Sequence, residues 1–189
     1  MKKDHVTFQR RPFFTPLWLS GIAAIMGFGV MMLAAWEWAK ADSTIVIVIR
    51  PAEKAADGGA DPPLAPAGFD RAARLARMLG DGNLLGHIDA IYTASASRNR
   101  MTVAPLAERL GMAPVVVGSD DSDRLAHRIL REHRGGRILI VGPGDKVPEI
   151  VGALSGGDRI PPRGDDEFGA MYIVSVPRVG HANTLRVHY

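Results

Sequence analysis

Residues 44–54 read TIVIVIRPAEK, and the fold turns on this stretch. All of residues 44–49 are β-branched, which suits a pleated strand. Without polar alternation the run reads as a strand buried on both faces. A loop rich in Gly, Asp and Pro follows across 55–66. A helix is expected from about Pro66, with Phe69, Ala72, Ala73, Ala76 and Leu79 as its apolar stripe and Gly80 and Gly82 at its end.

The same alternation continues. IDAIYT (88–93) reads as a second strand, and 98–110 as a helix with Pro105 an awkward interior residue. Val115 to Val117 is a short strand. Asp121 to His133 is a helix opened by acids and closed by bases, with Leu125, Ile129 and Leu130 on its apolar face. RILIVG (137–142) is another buried strand, followed by a helix across 147–154. A surface loop is expected over 155–169, and MYIVSV (171–176) and TLRVHY (184–189) suggest two closing strands around a turn. Strands alternating with helices predict an α/β domain, its sheet mostly parallel with helices on both faces. The sequence shows no internal repeat.

Upstream, Leu17 to Trp36 (LWLSGIAAIMGFGVMMLAAW) carries no charged side chain. A helix of this length spans about 30 Å, the thickness of a bilayer's hydrocarbon core. Phe13, Phe14 and Trp18 flank one end, Trp36 and Trp38 the other, where aromatic rings favour headgroups. Ala39-Lys40-Ala41 resembles a signal-peptidase site, but a signal peptide's apolar region is shorter, about 7–15 residues. The expected organisation is a basic cytoplasmic tail (1–16), a transmembrane helix (17–38), a linker (39–43) and a globular domain (44–189). The bilayer itself is the first expected partner. By the positive-inside bias the N-terminus is cytoplasmic and the domain lies across the inner membrane, in the periplasm or its equivalent.

Charge narrows the function. The chain holds 23 Lys and Arg against 20 Asp and Glu. Residues 1–16 contain Lys2, Lys3, Arg10 and Arg11 against Asp4, so the remainder holds 23 − 4 = 19 bases and 20 − 1 = 19 acids. A neutral domain offers no electrostatic footprint for nucleic acid, and none is expected as a partner. Cysteine is absent, excluding disulfides and thiolate metal sites. No histidine pair has the i, i+4 spacing of a zincin, GPGD (142–145) lacks the phosphate-loop pattern, and Ser95 and Ser97 lack a nucleophile elbow. The acids at Asp120, Asp121 and Asp123 suit a helix N-terminus better than a calcium loop. Neither metal nor cofactor is expected.

Three ordered segments carry a resemblance. RPAEK (50–54) follows a strand where relatives carry R-H-A-E-K or R-H-G-E. YTASASRNRMTVAPLAERLG (92–111) is similar to Y-T-S-x-x-x-R-T-x-x-T-A-x-P-L-A. ILIVGPGDKVPEIVGAL (138–154) is similar to V-L-V-V-G-H-S-N-T-V-P-x-L. Together with the closing segment YIVSVPRVGHANTLRVHY, they resemble the histidine phosphatase (phosphoglycerate mutase-like) superfamily over about 44–189. The resemblance implies a phosphoglycerate mutase-like three-layer sandwich with a mostly parallel sheet, preceded by the transmembrane helix.

In that family one histidine attacks the phosphoryl group, and a second histidine and two arginines bind its oxygens. The resemblance places Pro51 where the nucleophile stands and Pro143 where the second histidine stands. Proline has neither a side-chain nitrogen nor a backbone N–H to offer, so no catalytic residue is expected. Arg50 and Arg98 match the family's arginines. They are expected either to bind phosphate or another anion, as a guanidinium pair can, or to form local salt bridges with Glu53 or Asp145. Two functions follow. The favoured one is a catalytically inactive binding or accessory subunit of a membrane complex. The alternative is a phosphatase with a rearranged site, using an unidentified nucleophile or His181 of GHANT, which mimics the family's G-H-S-N-T but falls in the expected terminal turn.

Overall fold

The computed structural model describes residues 17–41, 43–56, 59–82, 85–118, 121–157 and 168–189. The basic tail and most of the loop expected over 155–169 lie outside the described residues. The chain divides into two compact units, Met1–Trp38 and Ala39–Tyr189.

The described residues of the first unit are helical. Helix α1 runs Leu17–Ala41, so three of the five residues expected as linker are helical. Its window Ser20–Glu37 has a mean hydropathy of 1.5, long and apolar enough to cross a membrane. Side chains such as Ile25, Met26, Phe28 and Leu33 are exposed.

The second unit is one six-stranded sheet with helices on both faces. Its strands are β1 (Thr44–Ile49), β2 (Ala90–Ala94), β3 (Val115–Val117), β4 (Arg137–Val141), β5 (Ala170–Val176) and β6 (Asn183–His188). Their spatial order is β3-β2-β4-β1-β5-β6. β1 to β4 are mutually parallel, while β5 pairs antiparallel with β1 and β6 antiparallel with β5. Helices α2 (Pro66–Gly80), α3 (Ser97–Leu110), α4 (Ser122–Glu132) and α5 (Val147–Ser155) complete the three layers.

Period-two alternation in the central strands builds both cores. Val46 and Val48 of β1, with Ile138 and Ile140 of β4, pack beneath α4 and α5 through Ile129 and Ile150. Ile47 and Ile49, with Leu139 and Val141, pack beneath α2 and α3 through Leu75 and Leu106. Each fully buried side chain of this size contributes about 1.5–3 kcal/mol. β-Branched runs without polar alternation are what such doubly covered strands require.

Several expected details change. β2 begins at Ala90 rather than residue 88. In α2, Phe69 is 50 % exposed and Ala73 only partly buried, while Gly68, Ala72, Leu75, Ala76 and Leu79 face the sheet. Gly68 sets this rotation, because a Cβ there would lie 2.5 Å from the Glu53 carbonyl oxygen. In α4, Ala126 joins Ile129 as a buried residue, while Leu125 and Leu130 pack only at the margin. α3 continues through Pro105. An interior proline costs about 3 kcal/mol, and burial of Val103, Leu106 and Ala107 on the same helix offsets it.

Candidate active site and its family

Topology creates a crevice at one place. From β1 the chain passes to α2 on one face, and from the adjacent β4 it passes to α5 on the other. The carboxyl ends of β1 and β4 therefore diverge at a topological switch point, where open α/β sheets bind ligands. Ile49 and Val141 are the last pair in register, and the Gly142 N–H donates to the Ile49 carbonyl at 3.3 Å. Arg50 and Pro51 continue from one strand, Gly142 and Pro143 from the other. Both prolines stand two residues past the same pair, at the carboxyl ends of adjacent strands.

Arg50 crosses the crevice. Its guanidinium lies so close over Gly144 that a Cβ there would sit 2.6 Å from Nε and Nη2. Its Cζ lies 5.9 Å from the Phe168 ring centroid, a cation–π distance. Only a residue without a side chain at 144 admits this path.

Arg98 stands in the first turn of α3, and buried hydrogen bonds fix that turn. Thr102 Oγ1 accepts from the Ala52 N–H at 3.0 Å and donates to the Arg98 carbonyl at 2.7 Å. Asn99 Nδ2 donates to the Val141 carbonyl at 3.1 Å. Asn99 and Thr102 thus tie α3 to the loop after β1 and to the end of β4. The Ser97 N–H donates to the Asp61 carboxylate at 2.9 and 3.1 Å, so an acid from the β1–α2 loop already sits beside Arg98 at the helix N-terminus.

Glu53 is not a partner of either arginine in these bonds. Its carboxylate accepts from Arg71 Nε at 2.9 and 3.0 Å, and Arg71 Nη1 donates to the Tyr189 backbone oxygen at 2.9 Å. The Arg71 hydrogen bond holds the Glu53 carboxyl below the ordinary carboxylate value, against the opposing effect of burial. Burial pushes the Tyr189 phenol up to about 12, with Arg71 opposing. A lowered folded-state pKa contributes stability that is present above the unfolded value and lost as pH falls through the folded one. Acid melts of the wild type should therefore show a stability loss below about pH 4.5 that is smaller in Glu53→Gln. Equal acid slopes in the two proteins would show that the pair has no such weight.

Asn99, Thr102, Arg71 and Asp61 were not singled out from the sequence. Apart from the Thr102 bond to Arg98 within α3, their partners lie 18 to 118 residues away, beyond any local pattern.

None of the described histidines follows directly on β1 or β4. His133 Nε2 lies 2.8 Å from the Tyr92 hydroxyl at the end of α4. His87 and His127 are exposed. His181 lies in the β5–β6 turn. Because Val176 pairs with Thr44, that turn is at the amino end of β1, opposite Arg50. β1 alone separates the two ends by about 16 Å at 3.3 Å per residue. His188 pairs with Ala170 on edge strand β6, two strands from β1 but at the Arg50 end of the sheet.

Two cavities border this end of the sheet among the described residues. One of about 10 Å³, between Gly142, Pro143, Lys146 and Ala94, has room for about one water. An open hollow of about 350 Å³ lies at the outer edge, between β3 and α4. No group of three or more described His, Cys, Asp or Glu residues is placed to hold a metal.

Residues 48–120 match the family model of the histidine phosphatase superfamily, branch 1. Over those 73 of its 189 residues the chain is similar to that superfamily. The matched residues include Arg50, Pro51 and Arg98; Pro143 and the closing strands lie beyond them. No curated protein matches by sequence. Solved structures share the fold. The protein histidine phosphatase SixA complexed with tungstate aligns at TM-score 0.64 and 17 % identity, over 76 % of this chain and 96 % of its own. A putative α-ribazole-5′-P phosphatase from Escherichia coli K-12 aligns at 0.60 and 13 %, over 78 % and 97 %. The mycobacterial glucosyl-3-phosphoglycerate phosphatase Rv2419c with VO₃ aligns at 0.57 and 14 %, over 74 % and 96 %. At these identities the likeness shows the fold alone.

Proposed function

We propose that this chain is a membrane-anchored, catalytically inactive phosphatase-like protein whose domain binds or helps assemble a membrane complex outside the cytoplasm. One observation carries the reading: prolines occupy the paired positions at the carboxyl ends of β1 and β4, where the resemblance places the family's two histidines. Nucleophilic catalysis needs an activated nucleophile within reach of the phosphorus. No side-chain nitrogen extends from Pro51 or Pro143. The rearranged-site alternative needs His181 or an unidentified nucleophile, and His181 stands at the end of the sheet opposite Arg50, which argues against its use there.

The anchor reading draws on α1. Its apolar, exposed side chains need a covering medium, and a bilayer matches their length. The basic tail beside it favours a cytoplasmic N-terminus. A reporter active only outside the cytoplasm, fused after Tyr189, should work, and the cytoplasmic counterpart should be silent. The reverse result would overturn this topology.

Arg50 and Arg98 are proposed to retain an anion site at the switch point. Similar structures carry tungstate or VO₃, and guanidinium groups bind such oxyanions through paired N–H donors. Phosphate at a hundredfold excess over its dissociation constant should stabilise the chain by about 2.7 kcal/mol. Arg50→Gln or Arg98→Gln should abolish the rise in melting temperature. A wild type indifferent to phosphate would leave the arginines with local structural roles only.

A further inference from the structure

Strand direction gives the domain two unlike ends. The carboxyl ends of β1 to β4 hold the candidate site, and the amino ends hold the point where the chain enters at Thr44. Val176 pairs with Thr44, so the hairpin turn between β5 and β6 projects past that entry point. The turn reads Pro177-Arg178-Val179-Gly180-His181-Ala182. Val179 is 76 % exposed, the largest value among the described large hydrophobic residues, and Arg178 and His181 beside it are also exposed.

α4 ends at the same edge. The Gly135 N–H donates to Thr44 Oγ1 at 3.0 Å, and the Ile45 N–H to the Gly136 carbonyl at 2.9 Å. Exposed Arg131 and Arg134 precede that junction. Around the entry point, Arg131, Arg134, Arg137 and Arg178 stand against Asp89 and Glu132, a surplus of 4 − 2 = 2 positive charges. Residues 44–189 as a whole hold 18 Lys and Arg against 17 Asp and Glu, a net of +1, so the surplus at this end exceeds that of the domain.

The chain itself limits where this end can be. α1 finishes at Ala41, and only two residues intervene before β1 starts at Thr44. Three virtual bonds of 3.8 Å allow at most about 11 Å between those Cα atoms, whatever the angle between helix and domain.

We propose that the amino end of the sheet is a lipid-docking face. The hairpin tip rests on anionic headgroups of the bilayer that α1 enters, with Val179 at the interface and Arg178, Arg131 and Arg134 facing lipid phosphates. The proposal rests on the reading of α1 as an anchor. An apolar tip flanked by cations suits the interface, where a partly buried side chain and screened charge attraction act together. Each contact is weak, but the short tether holds the face at high effective concentration, so weak contacts suffice. Docking this end turns the opposite one, with Arg50 and Arg98, away from the membrane.

The chain has no cysteine, so a single introduced thiol is a unique label site. Full-length Val179→Cys and Ser95→Cys, the latter exposed at the carboxyl end of β2, would each carry a fluorophore. Both would be reconstituted into nanodiscs of phosphatidylcholine with phosphatidylglycerol at roughly 3:1, doped with headgroup-spin-labelled lipid. The label at 179 should be quenched at least about twofold more than the label at 95. Pure phosphatidylcholine, or Arg134→Gln with Arg178→Gln, should reduce that difference. Equal quenching at both sites in anionic discs, with the chain co-fractionating with the discs, overturns the docking face and leaves the anchor standing. Quenching at 179 that ignores both lipid charge and the arginine substitutions overturns the headgroup attraction. A chain that does not co-fractionate with the discs overturns the anchor reading, and the docking face with it.

Discussion

Purified wild-type chain is expected to leave p-nitrophenyl phosphate and other phosphomonoesters unhydrolysed and to form no acid-labile phosphohistidine. Spontaneous hydrolysis of these esters is so slow that enzymes accelerate it by up to about 10²¹-fold. Arg50 and Arg98 can offset charge on phosphoryl oxygens, but neither supplies the attacking atom. The ring of Pro51 is buried against the domain and its nitrogen is an amide. Measurement should use stringently purified protein, with Arg98→Gln and His181→Ala as companions. Turnover that survives purification and disappears in Arg98→Gln would mean that the switch-point crevice houses a nucleophile other than the family's. Turnover lost in His181→Ala would place chemistry at the amino end of the sheet and overturn the inactive reading. The double substitution of Pro51→His with Pro143→His is a gain-of-function companion: activity recovered there would show that the surrounding pocket has been kept.

Leu139→Ala should destabilise the domain by about 2–5 kcal/mol, the cost of truncating a buried leucine whose surroundings collapse only in part. Leu139 is fully buried in β4, flanked by Ile47 of β1 and Ile91 of β2 and covered by the α2–α3 layer. For a protein of this size the melting temperature falls by about 2–4 °C per kcal/mol, so a drop on the order of 10 °C is expected. Leu185→Ala, on edge strand β6 and 58 % exposed, should move it little. A similar loss from both substitutions would contradict the strand order. That order puts the strands that lead to Pro51 and Pro143 next to each other.

Composition and short-range pattern determined a good deal. The uncharged run in α1 has the length of a bilayer core. The β-branched runs at 44–49 and 137–141 are strands, because such residues pack well only on a covered pleated surface. Proline at 51 and 143 is a property of the chain alone, and so is the lack of a side-chain nitrogen there. Each of these statements depends on a residue and its near neighbours.

Only the tertiary structure decided what depends on contacts across tens of residues. β4 inserts between β1 and β2, which opens the crevice at Arg50 and Gly144. Glu53, open in sequence to several arginines, is taken by Arg71 because the first turns of α2 pass close over the β1 loop at Gly68. Phe69 lies within the sequence's apolar stripe yet faces outward, since that same close approach fixes the helix's rotation. His181, within a family-like string, is carried to the far end of the sheet because β5 runs antiparallel to β1. Local sequence specifies which conformations a segment prefers, but strand direction and order are set by which apolar faces can be buried together, a property of the whole chain.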